Sequence, residues 1–499
     1  MRRILGAALR WQALSITIFA ATTALVFAQN RVQPIRPPLA AAKAAVLADG
    51  FAGASGNPDT PVPDPAIAVG PDRLVLITNA EVVIYEKTGT AIARKRLHSF
   101  FLPALVPGEA SAGDVDAVFD PHTGRFFLSE AAKIQPQASC QPGTCVGHNM
   151  LAVSKTSTPE SLDPSDWYLY AIDRYLERTP TGTTHTTNCG DYDKLAVNPD
   201  VLVITSKMCR ESDDAGLGDN VRILDKMKLV SGQSPDTWVD LLGLTTPRGG
   251  TQFPGIEPAT MFGDSPAFFM VSRTHSPCGL AIHGIDRALD APVVTTRSVA
   301  LAGDCAQYGG TRPDPRPGWV PQAGNATPLF SAQRLAKPVF RDGKLWVADT
   351  YVQRFASGPV NVIKWAELDV SRWPNDVVVT QQGTIGEDGV WNFYPALTVS
   401  AAGDVMVAFN TGSDQFYPSI RVAVRLATDP PGEMRPPVLV KAGTGAVVKL
   451  DKAGWNRFAD YSDMDLDPTD STSWFHGQFG TSGDWQTWVA KIQFTPRPE

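Results

Sequence analysis

The stretch Asp64-Pro-Ala-Ile-Ala-Val69 places a small or acidic cluster before a short apolar strand, and six later segments resemble it. Each is followed by a turn on Asp, Gly or Pro and then by a second apolar strand. The six are Asp114-Val-Asp-Ala-Val-Phe119, Tyr192-Asp-Lys-Leu-Ala-Val197, Glu257-Pro-Ala-Thr-Met-Phe262, Leu335-Ala-Lys-Pro-Val-Phe340, Tyr394-Pro-Ala-Leu-Thr-Val399 and Tyr461-Ser-Asp-Met-Asp-Leu466. A repeated, strand-rich unit of this size is typical of a propeller blade. The sequence therefore predicts an all-β fold, a seven-bladed β-propeller.

The last repeat runs out of chain after three predicted strands, over 463–466, 473–479 and 487–494. We expect a segment within 40–55 to supply the missing outer strand, because closure by a terminal strand removes two exposed sheet edges. A pair of β-sandwiches is the alternative fold, but it gives no reason for seven similar units.

The N-terminus has the pattern of a secretory signal peptide over residues 1–28. Arg2, Arg3 and Arg10 form a basic start, an apolar run follows to residue 28, and Val26-Phe27-Ala28 suits a signal peptidase. A retained membrane anchor is the alternative, since the run approaches the ~20 residues that a spanning helix needs. Residues 29–50 are rich in Pro and Ala and predict a linker or N-terminal arm, and residues 51–499 form the predicted propeller domain. The expected localisation is secreted or periplasmic, with no integral membrane segment after signal cleavage.

The charge balance narrows the class of partner. The formal net charge is −7 and becomes −10 once the three signal arginines are removed. An acidic surface argues against nucleic acid and anionic membranes. Small-molecule or glycan ligands, cations and proteins stay open as partners.

Six cysteines, an even number, lie in the exported part of the chain. Their order favours three local disulfides, although six cysteines allow 15 pairings. The predicted pairs are Cys140 with Cys145, Cys189 with Cys209, and Cys278 with Cys305. A zinc site is the alternative, but no CxxC spacing supports it.

Polar residues recur at the start of each predicted inner strand, five residues before its last apolar position. This column contains Asp64, Asp114, Tyr192, Glu257, Leu335, Tyr394 and Tyr461. Two residues later, on the same strand face, stand Ala66, Asp116, Lys194, Ala259, Lys337, Ala396 and Asp463. The intervening positions are mostly apolar, so one strand face is expected to pack and the other to be polar. Inner strands of a propeller surround a channel, which predicts a polar site at one of its mouths.

Two kinds of role are open for this column. As a binding site, Asp64, Tyr192, Lys194, Lys337, Tyr394 and Asp463 would contact the ligand. As an enzyme, Asp114, Asp116, Glu257 and Tyr461 would act as acid, base or nucleophile, because paired carboxylates of divergent pKa suit that chemistry. The structural alternative is that these side chains make turn hydrogen bonds or salt bridges between blades.

The segment 460–470 is the most acidic of the chain. Asp463, Asp465 and Asp467 have the spacing that opens an EF-hand loop, but Pro468 and Trp474 stand where that loop needs Gly and Glu. No EF-hand is predicted, and a simpler calcium site on Asp463 and Asp465 is the one cofactor left open. The aromatic residues between 455 and 488 predict either a glycan platform or packing between blades.

The stretch Trp455-Asn-Arg-Phe-Ala-Asp-Tyr-Ser-Asp-Met-Asp-Leu-Asp-Pro-Thr-Asp-Ser-Thr-Ser-Trp-Phe475, followed by Trp488-Val-Ala-Lys-Ile492, resembles the closing motif of a group of exported bacterial propellers. That group is similar in fold to the sialidase superfamily, and much of it has no assigned activity. The resemblance implies a propeller placed outside the cytoplasm. Sialidase chemistry is not implied, because the chain lacks the Arg-Ile-Pro motif, arginines in the column and the Ser-x-Asp-x-Gly-x-x-Trp boxes of those enzymes.

The leading hypothesis is an exported propeller that binds a polar extracellular ligand, such as a glycan, at one channel mouth. A glycan-active hydrolase or lyase of sialidase-like fold is the alternative. The second alternative is a scaffold whose long loops bind another protein.

Overall fold

The computed structural model describes residues 32–33, 46–54, 62–134, 141–210, 215–245, 255–305, 318–470 and 472–494. These residues form seven small sheets in a ring, a seven-bladed propeller as predicted. The inner strands are Ala66–Val69, Ala110–Asp120, Asn188–Val197, Glu257–Pro258, Val339–Arg341, Trp391–Val399 and Asp463–Leu466. The second strands are Arg73–Ile77, Arg125–Lys133, Val201–Arg210, Phe268–Arg273, Lys344–Phe355, Val405–Gly412 and Ser473–Thr481.

The third strands are Glu81–Glu86, Gly147–Ser154, Gly216–Asp225, Gly279–Asp286, Gly358–Asp369, Ser419–Arg425 and Asp484–Phe494. The outer strands are Ala91–Arg96, Trp167–Asp173, Trp238–Leu241, Val293–Ala300, Val378–Ile385, Val438–Lys441 and Val46–Ala52. Blades 1 to 7 follow this order, and within each blade the four strands pair antiparallel. Two short helices, Leu97–Phe101 and Lys226–Val230, and a 3₁₀ turn, Ala323–Asn325, lie between strands.

The N-terminal part of the chain closes the ring. Val46–Ala52 pairs antiparallel with Asp484–Phe494, so blade 7 takes its outer strand from the segment predicted for that role. A further short strand, Val32–Gln33, pairs parallel with Thr384 and Ile385 at the outer edge of blade 5. Thr260–Phe262 of blade 4 pairs parallel with Val339–Arg341 of blade 5 and links two neighbouring inner strands.

The apolar core lies between the blades. Ala66 and Ala68 belong to a buried cluster with Phe126 of blade 2, whereas Ile67 and Val69 belong to one with Trp474 of blade 7. The expectation that one face of each inner strand packs while the other is polar was therefore wrong. Blades stack face to face, so both faces of an inner strand are covered and only its edge borders the channel.

Two of the three predicted disulfides lie wholly within the described residues, and both are confirmed. Cys189 joins Cys209 across the first two strands of blade 3, and Cys278 joins Cys305 in blade 4, with Cα atoms 5.0 and 5.3 Å apart. Cys145 is also disulfide-bonded, and its predicted partner Cys140 lies outside the described residues. The predicted signal peptide, residues 1–28, lies outside them too. No helix within the described ranges has the length and apolar character to cross a membrane.

Two hairpins extend from the blades. Leu176–Thr179 pairs with Gly182–His185, and Trp319–Gln322 pairs with Ala326–Phe330. The second hairpin ends just before the inner strand of blade 5 and lies against the Tyr394 hydroxyl, which donates to Phe330 O at 3.4 Å. It therefore borders the same end of the channel as the polar column.

Candidate functional site

The polar column coincides with a repeated backbone feature. Asp64, Asp114, Tyr192 and Tyr394, which share one position of the repeat, have φ angles of 45°, 54°, 58° and 50°. Left-handed backbone is uncommon outside glycine and costs on the order of 1–3 kcal/mol at such a residue. Four blades share this conformation, so it belongs to the propeller repeat.

Three of these left-handed residues, Asp114, Tyr192 and Tyr394, lie within β-bulges. The register between the first two strands shifts between Gly113 and Asp116, between Asp191 and Lys194, and between Phe393 and Ala396. A bulge bends its strand and redirects the neighbouring side chains. Here the redirected side chains include Asp116 and Lys194, both of which line the cavity described below.

Carboxylates of the column connect neighbouring inner strands. The backbone N–H groups of Tyr192 and Leu195 in blade 3 donate to Asp114 at 2.9 Å and Asp116 at 2.7 Å in blade 2. In the same way Ile67 of blade 1 donates to Asp463 of blade 7 at 3.1 Å. The channel-facing edge of an inner strand has no pairing strand, and a buried N–H without a partner is costly. These carboxylates therefore have a structural role, the alternative recognised from the sequence.

Lys337 interacts with two carboxylates of the column from different blades. Its ammonium lies 2.9 Å from Asp116 Oδ1 and 3.9 Å from Asp463 Oδ2, which brings blades 2, 5 and 7 together. It also donates to the carbonyl of Ala117 at 3.2 Å. Burial lowers the pKa of Lys337, but Asp116 and Asp463 outweigh that effect and hold it above its usual range.

These residues line a small pocket, open to solvent, at the end of the channel where the inner strands begin. We call it the polar cavity. Seven predicted site residues line it: Asp116, Tyr192, Lys194, Glu257, Lys337, Tyr461 and Asp463. Residues from blades 2, 3, 4, 5 and 7, up to 347 positions apart in the chain, thus meet in one place.

Asp64, Asp114 and Tyr394 lie beside the polar cavity but do not line it. Asp64 accepts from Asn79 Nδ2 at 2.8 Å and from the Asp460 backbone N–H at 2.7 Å. Burial, followed by the Asp460 charge, raises the pKa of Asp64 to about 6. Leu335, the apolar member of the column, is buried and lines the polar cavity with its neighbours.

Lys194 is the most unusual group of the polar cavity. Its ammonium lies 3.0 Å from the ring centroid of Tyr461 and 4.5 Å from that of Tyr192, whose rings meet edge to face. The side chain is 4% exposed, and its ammonium has no hydrogen-bond partner among the described residues. A cation gains from aromatic faces, but a desolvated ammonium also needs acceptors. A ligand oxygen at this point would supply one.

Glu257 faces the same group. Burial raises the pKa of Glu257 from 4.5 to about 7, with Lys194 and the Tyr192 side chain lowering it and the Asp116 charge raising it. Near neutral pH the carboxyl is therefore divided between its protonated and charged forms. It can donate a hydrogen bond in the first form and accept one in the second.

Arg334 is a cavity residue that sequence reasoning missed. Its guanidinium lies 4.5 Å from the Tyr192 ring centroid and 2.9 Å from Asp460 Oδ1, and Arg457 binds the other oxygen of Asp460 at 2.7 Å. Burial opposes the charge on Asp460, but Arg334 and Arg457 hold its pKa at about 2. Arg334 and Asp460 each immediately precede a column residue, which was the available signal.

The carboxylate oxygens of Asp463 and Asp465, the residues of the predicted calcium site, all accept backbone N–H groups. Their Oδ2 atoms accept the backbone N–H groups of Ile67 and Val69, and their Oδ1 atoms accept those of the residues that follow them. Across the described ranges, no group of three or more His, Cys, Asp or Glu side chains has an arrangement that could hold a metal ion.

The stability of the protein is expected to depend on the ionisation of Glu257. Its folded pKa of about 7 lies above 4.5, so its contribution is fully present below pH 4.5 and is lost as the pH rises through 7. Glu257→Gln removes this titration. As the pH rises from 4.5 to 8.5, we expect the free energy of unfolding of the wild type to fall relative to that of the variant by on the order of 1–3 kcal/mol.

Urea unfolding at several pH values measures this difference. The exposed Glu86→Gln is the control and should follow the wild type throughout. If the free energy of unfolding of Glu257→Gln changes with pH in parallel with that of the wild type, the pKa of Glu257 does not lie near 7.

Comparison with known proteins gives no family. No protein-family model matches the chain, and no curated protein matches it. Among solved structures it is similar to the NanB sialidase of Streptococcus pneumoniae, at 9% identity and a TM-score of 0.36 over 88% of this chain and 70% of that one. It is also similar to the α-L-arabinanase of Cellvibrio cellulosa, at 11% identity and a TM-score of 0.31 over 64% and 94%.

A third similar structure is an N-acetylgalactosamine deacetylase of F. plautii in complex with blood group B trisaccharide. It shares 7% identity at a TM-score of 0.31, over 90% of this chain and 95% of that one. Because these TM-scores are below 0.5, the propeller assignment rests on the chain's own sheets. No activity passes from these proteins to this chain.

Proposed function

We propose that this chain is an exported propeller that binds a polar extracellular ligand, a glycan, in the polar cavity. Disulfides persist in oxidising compartments, so Cys189–Cys209 and Cys278–Cys305 support a location outside the cytoplasm. The signal-peptide pattern of residues 1–28 supports the same location.

The observation that carries the proposal is the buried ammonium of Lys194, which has no acceptor within the described ranges and lies beside Glu257. Most other polar groups around it already have partners. Asp116 accepts the backbone N–H of Leu195 and pairs with Lys337, and the Tyr461 hydroxyl donates to Val115 O at 2.7 Å. A sugar hydroxyl can accept from Lys194 and donate to or accept from Glu257. Arg334 and Lys337, two partly exposed residues of the lining, are polar, which suits a ligand rich in hydroxyls.

Lys194→Met and Glu257→Gln are expected to abolish ligand-induced stabilisation. Removing a hydrogen bond to a charged group costs about 1.5–3 kcal/mol, so Lys194→Met should weaken binding by at least tenfold. The measurement is thermal unfolding of the mature protein in a panel of neutral mono- and trisaccharides. A ligand at about ten times its Kd stabilises the folded state by about 1.4 kcal/mol.

Lys364→Met and Glu130→Gln are matched controls, because both side chains are buried and both lie outside the polar cavity. They should keep the full ligand response of the wild type. If Lys194→Met responds to each glycan as the wild type does, the polar cavity is not the binding site.

The second candidate function is glycan hydrolysis, and the raised pKa of Glu257 is the observation that favours it. A carboxyl with a pKa near 7 beside Tyr192 is suited to general acid catalysis. Asp114 and Asp116 are less suited to it, because backbone N–H groups and Lys337 hold their oxygens. Chromatography of the same glycans after incubation separates the candidates: cleavage that Glu257→Gln abolishes favours the enzyme, and intact glycans favour the binder.

A further inference from the structure

An aromatic surface lies beside the polar cavity. Trp319, Phe330 and Trp455 are all partly exposed, and their ring centroids are 5.6 Å (Trp319–Phe330), 4.3 Å (Phe330–Trp455) and 6.5 Å (Trp319–Trp455) apart. We call these three residues the aromatic platform. By contrast, Phe458, Trp474, Phe475 and Trp485 are at most 3% exposed and pack in the core.

Buried amides hold the platform in place. Gln322, 1% exposed, donates to Val447 O at 3.0 Å and accepts from the Val447 N–H at 2.8 Å. Asn456, also 1% exposed, donates to Thr327 O and Val447 O, both at 2.9 Å. The hairpin that carries Trp319 and Phe330 is thus clamped to the segment that carries Trp455. A surface fixed in advance binds with less loss of conformational entropy.

A chain of contacts joins the platform to the polar cavity. The Arg457 guanidinium lies 5.9 Å from the Phe330 ring centroid and binds Asp460, which binds Arg334 of the polar cavity. The two surfaces therefore share one rim, with an apolar aromatic part and a polar, hydrogen-bonding part. A pyranose ring has the same two characters, an apolar face of C–H groups and an equator of hydroxyls.

We propose that the aromatic platform is a second sugar subsite, so the ligand is an oligosaccharide of at least two units. One unit docks at the mouth of the polar cavity with a hydroxyl directed at Lys194, and the next stacks on Trp455. This inference rests on the proposed function. It adds that binding strengthens with chain length and that the added affinity comes from aromatic stacking.

The test compares neutral trisaccharides with their monosaccharides by isothermal titration calorimetry on the mature protein. The probes are maltotriose, cellotriose, xylotriose and mannotriose. Trp455→Leu keeps apolar bulk but removes the aromatic face, and it should weaken trisaccharide binding by roughly 3- to 10-fold while leaving monosaccharide binding unchanged. Trp455→Tyr should restore most of the loss. Trp488→Leu, a partly exposed tryptophan on the third strand of blade 7, is the control and should have no effect.

The outcomes separate the two proposals. If Lys194→Met abolishes binding and Trp455→Leu leaves trisaccharide affinity unchanged, the platform inference is wrong and the polar cavity stands. If Trp455→Leu alone weakens binding, the platform stands and the polar cavity is not the site. If the wild type binds none of these sugars, both proposals are overturned.

Discussion

Lys337→Met is expected to lower the free energy of unfolding by about 3–5 kcal/mol. The ammonium of Lys337 is the counter-charge of Asp116, whose side chain is 3% exposed, and it also lies near Asp463. Breaking a buried ion pair by removing one partner leaves an uncompensated charge, which carries a cost of this size. Asp116 and Asp463 also hold neighbouring inner strands, so their rearrangement would loosen the inner strands of four blades, 1, 2, 3 and 7. Urea unfolding at neutral pH measures the effect.

Two variants test whether the stranded carboxylate is the cause. In Lys337→Met/Asp116→Asn no charge is left at that pair, so the double variant should be more stable than Lys337→Met alone. Lys364→Met removes a buried lysine that donates to Ala302 O at 2.9 Å, and the nearby Asp304 is exposed, so its cost should be smaller. Equal destabilisation by the two single lysine variants would contradict this account.

Removal of the closing strand is expected to destroy the cooperative fold. A mature chain that begins at residue 55 lacks Val46–Ala52 and leaves Asp484–Phe494 as an unpaired edge. It also loses Phe51, whose ring centroid lies 5.0 Å from that of Tyr85 and 6.4 Å from that of Trp474. An unpaired edge strand invites association with other chains. We expect aggregation in size-exclusion chromatography and loss of the sharp thermal transition.

A single substitution within the closing strand offers a milder test. A Cβ at Gly50 would clash with Val489 O and Trp488 Nε1, so Gly50→Leu must displace backbone and should strongly destabilise the fold. Asp49→Ala, at an exposed neighbouring position, should change stability by no more than about 0.5 kcal/mol.

A synthetic peptide of residues 43–56 should bind the truncated chain by adding the missing strand. A truncated chain that stays monomeric and unfolds as the wild type does would show that closure is not needed.

The architecture could be predicted because a propeller repeats one local unit. The seven inner-strand segments, from Asp64-Pro-Ala-Ile-Ala-Val69 onward, carry the pattern in composition and spacing alone. The incomplete seventh repeat, which stops at three strands, also indicated that the N-terminal segment must supply the fourth. The first inference needed no contact between distant residues, because each blade pairs mainly with its own strands. The second followed from the number of strands in the last repeat.

The members of the candidate site were predicted better than their interactions. The column placed Glu257, Lys194 and Tyr461 at one mouth, and the structure brings them together. Its assumption of a polar face opposite a packed face was wrong, because stacked blades cover both faces of an inner strand. Arg334 was missed because it stands one position before the column, and the repeat pattern alone does not show that a side chain at this position lines the cavity.

The repeated pattern of the sequence was enough by itself to determine that this protein is a ring of seven β-sheets closed by its N-terminal part. Hydrophobic periodicity and turn residues act over a few positions, so a sequence displays them directly. Only the tertiary structure decided which polar groups are committed and which are free. Asp116 and Lys194 occupy the same position in consecutive repeats, yet one binds Lys337 and a backbone N–H while the other has no acceptor among the described residues. That difference depends on distances across the channel, and residues hundreds of positions apart set those distances.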